Sequence, residues 1–213
     1  MKYKTILFDL DGTILDTNEL IITSFLHTFQ TFFPERTFLR EEIIAEMGGT
    51  LFDILSRYDE DRVEEMIQVY REFNIRTHDE MVTAFPHVLE VITQLKEWGI
   101  MLGVVTTKQR NTTEMGLDLT QLRPLMDSIV TLQEVENPKP HPEPVLRAMS
   151  ELGALPESTL MVGDSSFDIE AAHRAGIHSA GVAWSLKGEE YLRGYSPTYI
   201  LKDMKDLLRI VKE

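Results

Sequence analysis

A chain of 213 residues, 43% hydrophobic and 26% charged, has the makeup of one sizeable globular domain or of a core carrying one large insertion. Its 35 acidic against 21 basic residues give a net charge of -14, which repels nucleic-acid backbones and anionic lipid alike, so neither partner is expected. The lack of cysteine excludes disulfides, thiolate metal sites and cysteine nucleophiles, and with no leader-like or membrane-spanning run the expected compartment is the cytoplasm.

The first element is a strand through Ile6-Leu7-Phe8. An apolar run this short, rich in branched and aromatic side chains, fits a strand buried on both faces. It runs into Asp9 and Asp11, which share a face if the strand continues, and then into Gly12-Thr13. Two like charges so close repel and would raise one pKa. They read either as a solvated Asp-Gly turn or as a magnesium site with one carboxylate free to attack. From Asp16 to Phe33, Leu20, Ile21, Phe25, Phe29 and Phe32 recur at helical spacing, with Asp16 or Thr17 as N-cap and Pro34 as stop. Thr37 to Glu42 opens a second helix, and Phe52 to Leu55 belongs to a short third. Asp61 to Thr77 is a fourth, with Val63, Met66, Ile67, Tyr70 and Phe73 on one side. No strand is expected between Leu15 and Met81.

Past Pro86 the period changes. A helix from Pro86 to Trp98 stops at Gly99, and the buried strand Ile100 to Val105 ends in Thr106-Thr107-Lys108. A polar helix, a short strand at Ser128 to Thr131, a Pro-rich loop around Lys139 and a helix from Glu143 to Leu152 follow. The strand Thr159 to Gly163 then ends in Asp164-Ser165. A helix over Asp168 to Ala175, a strand over Ser179 to Ala183, a short helix near Glu189 to Leu192, a strand over Thr198 to Leu201 and a helix over Asp203 to Val211 complete the chain. Strands alternating with helices mean right-handed crossovers, hence an α/β fold with a doubly wound, mostly parallel sheet. Residues 1–14 and 83–213 are expected to form this core, and residues 15–82 an inserted all-helical cap, entered just after Asp11 where a lid would start.

In such a sheet ligands bind beyond the carboxyl ends of the strands, near the switch in strand order. Three buried strands deliver polar residues there: Asp9 and Asp11; Thr106, Thr107 and Lys108; Asp164, Ser165 and Asp168. Together with Lys139 in its proline-flanked loop, they read as one site.

The stretch Asp9-Leu10-Asp11-Gly12-Thr13, Thr106 after a hydrophobic strand, Lys139 between prolines, and Gly163-Asp164-Ser165-Ser166-Phe167-Asp168 resemble, in order and spacing, the four motifs of the haloacid-dehalogenase-like phosphatases. The resemblance covers the whole chain, and the insertion after the first motif is similar to that of the helical-cap subgroup. Within it the chain looks most like phosphoglycolate phosphatases and related bacterial pyrophosphatases. The resemblance implies Asp9 as a nucleophile that becomes an aspartyl phosphate. It implies Asp11 as general acid and then base, and a Mg²⁺ cofactor held by Asp9, the Asp11 carbonyl and Asp164. Asp168 would hold a metal-bound water or Lys139. Octahedral Mg²⁺ keeps several waters, which suits so short a ligand set.

The chemistry of the residues agrees. Phosphoryl transfer asks mainly for positioning and neutralised charge. Lys139 and a metal supply positive charge in an acidic protein, Thr106 a hydroxyl donor, and the amides of Leu10 and Thr107 an anion nest. Gly12 permits a sharp turn. Lys108 is expected to face solvent, and His87 and His141 show no metal-ligand spacing. The reaction the family resemblance implies is hydrolysis of a small phosphate compound, pyrophosphate first and phosphoglycolate second. A phosphosugar mutase shares every motif. A phospho-accepting signalling domain also gathers Asp, Thr and Lys at strand ends, but without a helical insertion after its first strand.

Overall fold

The computed structural model describes all 213 residues and divides into two compact units, residues 1–16 with 83–213 and residues 17–82. The larger unit is built on six parallel strands: β1 (Thr5–Phe8), β4 (Met101–Val105), β5 (Ser128–Val130), β6 (Thr159–Gly163), β7 (His178–Val182) and β8 (Tyr199–Leu201). Two further strands, β2 (Leu15–Asp16) and β3 (Thr83–Ala84), form a separate antiparallel ribbon. The main sheet has the order β5-β4-β1-β6-β7-β8. The chain thus builds outward from β1 on one side, then returns to β1's other edge and builds outward again. This is the doubly wound arrangement that the alternation of strands and helices predicts.

Register places the site. Phe8 lies opposite Val104 on one side and Val162 on the other, so β1, β4 and β6 end level with one another. Ile6, Leu7 and Phe8 are fully buried, as a strand with helices on both faces requires. Leu7, Val105, Val130 and Met161 pack with Val145, Ala148 and Met149 of a helix over Glu143–Leu152 and with Ala171 and Ala172 of a helix over Ser166–Arg174. That second helix begins two residues before the expected Asp168.

The smaller unit is helical: α1 (Asn18–Phe32), α2 (Arg40–Glu46), α3 (Leu51–Leu55) and α4 (Val63–Met81). Its core is aromatic, with Phe29 stacked 4.3 Å from Phe38 and tilted 49° against Tyr58 at 4.5 Å. Asn74 Nδ2 donates to Ser24 Oγ at 3.1 Å, a buried bond joining α4 to α1.

Three expectations need correcting. The stretch from Leu15 expected to hold no strand begins with one: Leu15 and Asp16 pair with Ala84 and Thr83, so Asp16 does not open the first helix, because the two segments that cross between units satisfy each other's backbone. The fourth helix runs four residues past Thr77 to Met81, where Val82 N closes on His78 O. The helix expected at Pro86 starts at Val88, because His87 takes a left-handed φ of 64°.

Candidate active site

Asp9 leaves the end of β1 with its amide still bonded to Val162 O at 2.8 Å, so its position is set by the sheet. The next residues fold back tightly. Leu10 O accepts the amides of Thr13, Ile14 and Leu15, and Gly12 N donates to Leu15 O at 2.9 Å. The Leu10 side chain is fully buried, so only its backbone faces the turn. Gly12 has φ 78°, and a Cβ there would lie 2.5 Å from Asp164 Oδ2. The turn therefore needs glycine twice over, for its backbone and for the carboxylate it admits.

The ends of β4 and β6 come in beside it. Thr106 N stays in the sheet, donating to Val130 O at 3.0 Å, while its hydroxyl oxygen accepts from Lys108 N at 3.1 Å. That leaves the hydroxyl proton to donate elsewhere. Thr107 is half-buried next to it. Asp164 is anchored through its carbonyl, which accepts from Ser185 Oγ at 2.6 Å. Asp168 is held by the start of its own helix, its Oδ2 accepting from Ser165 N at 3.1 Å and Ser165 Oγ at 2.6 Å. This is a capping box with a short acid at its third position. Gly163 makes room for it, since a Cβ there would collide with the Asp168 side chain.

Lys139 is carried by a loop pinned at both ends. Glu143 accepts the amides of Glu136 and Asn137 at 2.8 and 3.0 Å, and Arg174 Nη1 donates to Pro140 O at 2.9 Å. The ammonium, 3% exposed, donates to Asp9 Oδ1 at 2.6 Å, Asp168 Oδ1 at 2.6 Å and Val105 O at 2.8 Å. Three acceptors use all three of its N–H bonds.

Carboxylate oxygens of Asp9, Asp164 and Asp168 lie within 4.8 Å of one another. Burial, with the charges of Asp168 and Asp11 added, pushes the Asp9 carboxyl up to about 7 against the pull of Lys139. Burial and the charges of Asp9 and Asp168 likewise hold Asp164 well above the usual carboxylate range. Burial alone would lower Lys139, but Asp168 and Asp9 overcome it and raise its pKa. Asp164 lies outside the Lys139 ion pairs, so once its carboxyl is deprotonated the cluster carries negative charge that its lysines do not match. An all-oxygen donor set of three clustered carboxylates fits a hard divalent cation such as Mg²⁺.

Lys108 corrects a further expectation. It does not face solvent: its ammonium donates to Asp11 Oδ1 at 2.9 Å and Oδ2 at 3.2 Å, with 11% of the side chain exposed. Ser165, expected at the site, supports the cluster through Asp168, and Ser185, which was not singled out, supports it through the Asp164 carbonyl. Ser165 was legible as a helix N-cap, whereas nothing local marks Ser185. His87 pairs with Asp203 at 2.9 Å, and His141 lies near Glu143, neither of them in the aspartate cluster.

The family model for haloacid dehalogenase-like hydrolases matches residues 6–182. Pyrophosphatase PpaX of Bacillus cereus (strain AH820) is 48% identical over 213 residues, covering 100% of this chain and 98% of the relative. Among crystal structures, a haloacid dehalogenase-like hydrolase from Bacteroides fragilis superposes with a TM-score of 0.90 at 28% identity, covering 97% of this chain and 100% of its own. A predicted phosphoglycolate phosphatase from Haemophilus somnus 129PT gives 0.85 at 26% identity, covering 99% and 98%. With its motifs gathered at one sheet end and a family match spanning most of its length, the chain belongs to the haloacid dehalogenase-like hydrolases.

Proposed function

We propose that this protein is a Mg²⁺-dependent phosphohydrolase that works through an aspartyl phosphate on Asp9, with inorganic pyrophosphate as its substrate. The observation that carries the reading is the division of labour between the two aspartates of the first turn. Asp9 is locked to Lys139 inside the sheet end, while Asp11 faces a different lysine, Lys108. One is fixed as a nucleophile needs to be, and the other is placed apart as a proton carrier.

In the first step an Asp9 carboxylate oxygen attacks phosphorus. With Lys139 bound to Oδ1, Oδ2 is the oxygen left to form the bond. The bond to the leaving oxygen breaks, and Asp11 gives that oxygen its proton. In the second step Asp11 takes a proton from water, the hydroxide attacks phosphorus, and the Asp9–phosphorus bond breaks to release phosphate. The Thr106 hydroxyl and the amides of Leu10 and Thr107 bind the equatorial oxygens. Lys139 keeps Asp9 in place and offsets its charge. Asp9, Asp164 and the Asp11 carbonyl would hold Mg²⁺, with Asp168 beside them. The ion, when bound, supplies Lewis-acid neutralisation of the phosphoryl oxygens.

The choice of pyrophosphate leans on the PpaX relative at 48% identity, against 26% for the structure described as a phosphoglycolate phosphatase. A phosphate-release comparison of pyrophosphate with phosphoglycolate tests it, and higher kcat/KM for phosphoglycolate would refute it. Acid-quenched protein should carry phosphate on Asp9 by mass spectrometry. Phosphate on any other residue, or full turnover by Asp9→Asn, would remove the nucleophile assignment.

A further inference from the structure

Two ammonium groups reach the aspartate cluster, and they differ in what they have left to offer. Lys139 meets three acceptors with three N–H bonds and is 3% exposed, so it has no donor to spare. Lys108 faces only the two oxygens of Asp11, at 2.9 and 3.2 Å. Two acceptors occupy at most two of its three N–H bonds, and its side chain keeps 11% exposure. Its backbone is fixed on both sides: Lys108 N donates to Thr106 Oγ1 at 3.1 Å, and Lys108 O accepts from Leu132 N at 3.1 Å. The nearby Arg110 is already committed, donating to Ile129 O at 2.7 Å and pairing with Glu134 at 3.1 Å. Lys108 is therefore a rigid, partly desolvated cation with a free donor, touching the very carboxyl assigned to protonate the leaving oxygen.

A leaving oxygen that takes its proton from Asp11 must lie within hydrogen-bond reach of it. An anionic oxygen separated from the leaving oxygen by one atom, as in a phosphoanhydride, or by two, as in the ester of a 2-hydroxy acid, then falls within reach of the ammonium that grips Asp11. On a protein of net charge -14 a cation held at that point is a distinctive attraction for such an oxygen. We infer that Lys108 is the specificity-determining residue of the site. It hydrogen-bonds the leaving group and selects substrates whose leaving group carries its own negative charge, such as a phosphoanhydride or the phosphate ester of a hydroxy acid, over esters of uncharged alcohols. This rests on the reading that Asp9 is the nucleophile and Asp11 the proton carrier.

The test compares kcat/KM of wild type, Lys108→Met and Lys108→Arg on three substrates: pyrophosphate, glycerol 2-phosphate and p-nitrophenyl phosphate. Glycerol 2-phosphate needs leaving-group protonation but has an uncharged leaving group. p-Nitrophenyl phosphate hardly needs the acid. Lys108→Met should lose about tenfold to a hundredfold on pyrophosphate, the scale of one charge-assisted hydrogen bond. The other two substrates should change by less than about threefold on the same argument, and Lys108→Arg should recover much of the pyrophosphate loss. An equal loss on glycerol 2-phosphate would mean that Lys108 acts only by placing Asp11, and an equal loss on all three that it is merely structural. Either overturns the inference. If Lys108→Met does not fold, Lys108→Gln, which keeps an N–H donor without charge, carries the same comparison. Should the wild type leave pyrophosphate intact, phosphoglycolate takes its place as the anionic case. The pyrophosphatase reading then falls while Lys108 is still judged. Activity surviving Asp9→Asn would instead bring down the nucleophile reading, whatever Lys108 does.

Discussion

Replacing Lys139 by Met removes the one cation enclosed within the aspartate cluster while keeping most of its bulk. The ammonium is 3% exposed and serves Asp9, Asp168 and the Val105 carbonyl. Without it two buried carboxylates lose their counter-charge and a buried carbonyl loses its donor. Breaking a buried pair in this way costs about 3–5 kcal/mol. For a chain of this length that is a fall in Tm of about 6–20 °C. The loss should depend on pH with a definite sign. Asp9 already has a folded pKa of about 7, above its ordinary value, so in metal-free protein the folded state binds the extra proton. Its contribution is fully present below the unfolded pKa of about 4 and is lost as pH rises through about 7. Removing Lys139 raises Asp9 further, so the variant should be hurt most near pH 8 and least near pH 5. Thermal unfolding in EDTA at the two pH values measures this. A Lys139→Met protein that melts with the wild type at pH 8 would refute the claim that the lysine holds the cluster together.

Gly12→Ala should lower kcat/KM about a hundredfold while leaving the fold intact, because the new Cβ displaces Asp164 from 2.5 Å contact and positional errors near 1 Å carry that cost; wild-type activity would contradict the packing. Asp11→Asn should turn over p-nitrophenyl phosphate with a burst of nitrophenol and then a slow steady state, since water activation loses its base, worth about 10²–10⁴-fold; rapid mixing that shows no burst would reassign the second step. Activity should require Mg²⁺ and vanish with EDTA, with full turnover in metal-free buffer as the contrary result. Mg²⁺ affinity should rise from pH 6 to pH 8, because Asp9, at about 7, must lose its proton to bind the ion; calorimetry that detects no proton release would oppose this.

Much of the molecule was legible because its signals are local. The run Ile6-Leu7-Phe8 ending in Asp9 announces a buried strand with a charged exit, and the glycines at 99 and 153 end helices where the periodic pattern stops. What was missed depends on distant partners. Lys108 reads as a surface lysine until strand order puts β4 beside β1 and brings it to Asp11, 97 positions away. The β2–β3 ribbon has two residues per strand, too few for alternation to show, and each half has meaning only through the other. The last turn of α4 is hidden because His78, Asp79 and Glu80 carry no apolar period, although the helix continues through them. Asp168 seemed the start of its helix and is its third residue, a short acid doing the work usually given to glutamate in a capping box.

The level ends of β1, β4 and β6 have a kinetic consequence. Lys139 meets Asp9 across 130 positions of chain, and β1 pairs with a strand that begins at Thr159. Non-local parallel pairing of this kind forms late, after the loop-closure entropy has been overcome. The expectation is a folding transition state in which the aspartates are still apart and form no chelate, and φ-values near zero at Asp9 and Asp164 would show it. A divalent ion that binds the finished cluster should leave the refolding rate unchanged and slow unfolding, so that its whole stabilisation is carried by one arm of the chevron. The same metal that completes the site would then act as a latch on the folded state, extending its lifetime without guiding its formation.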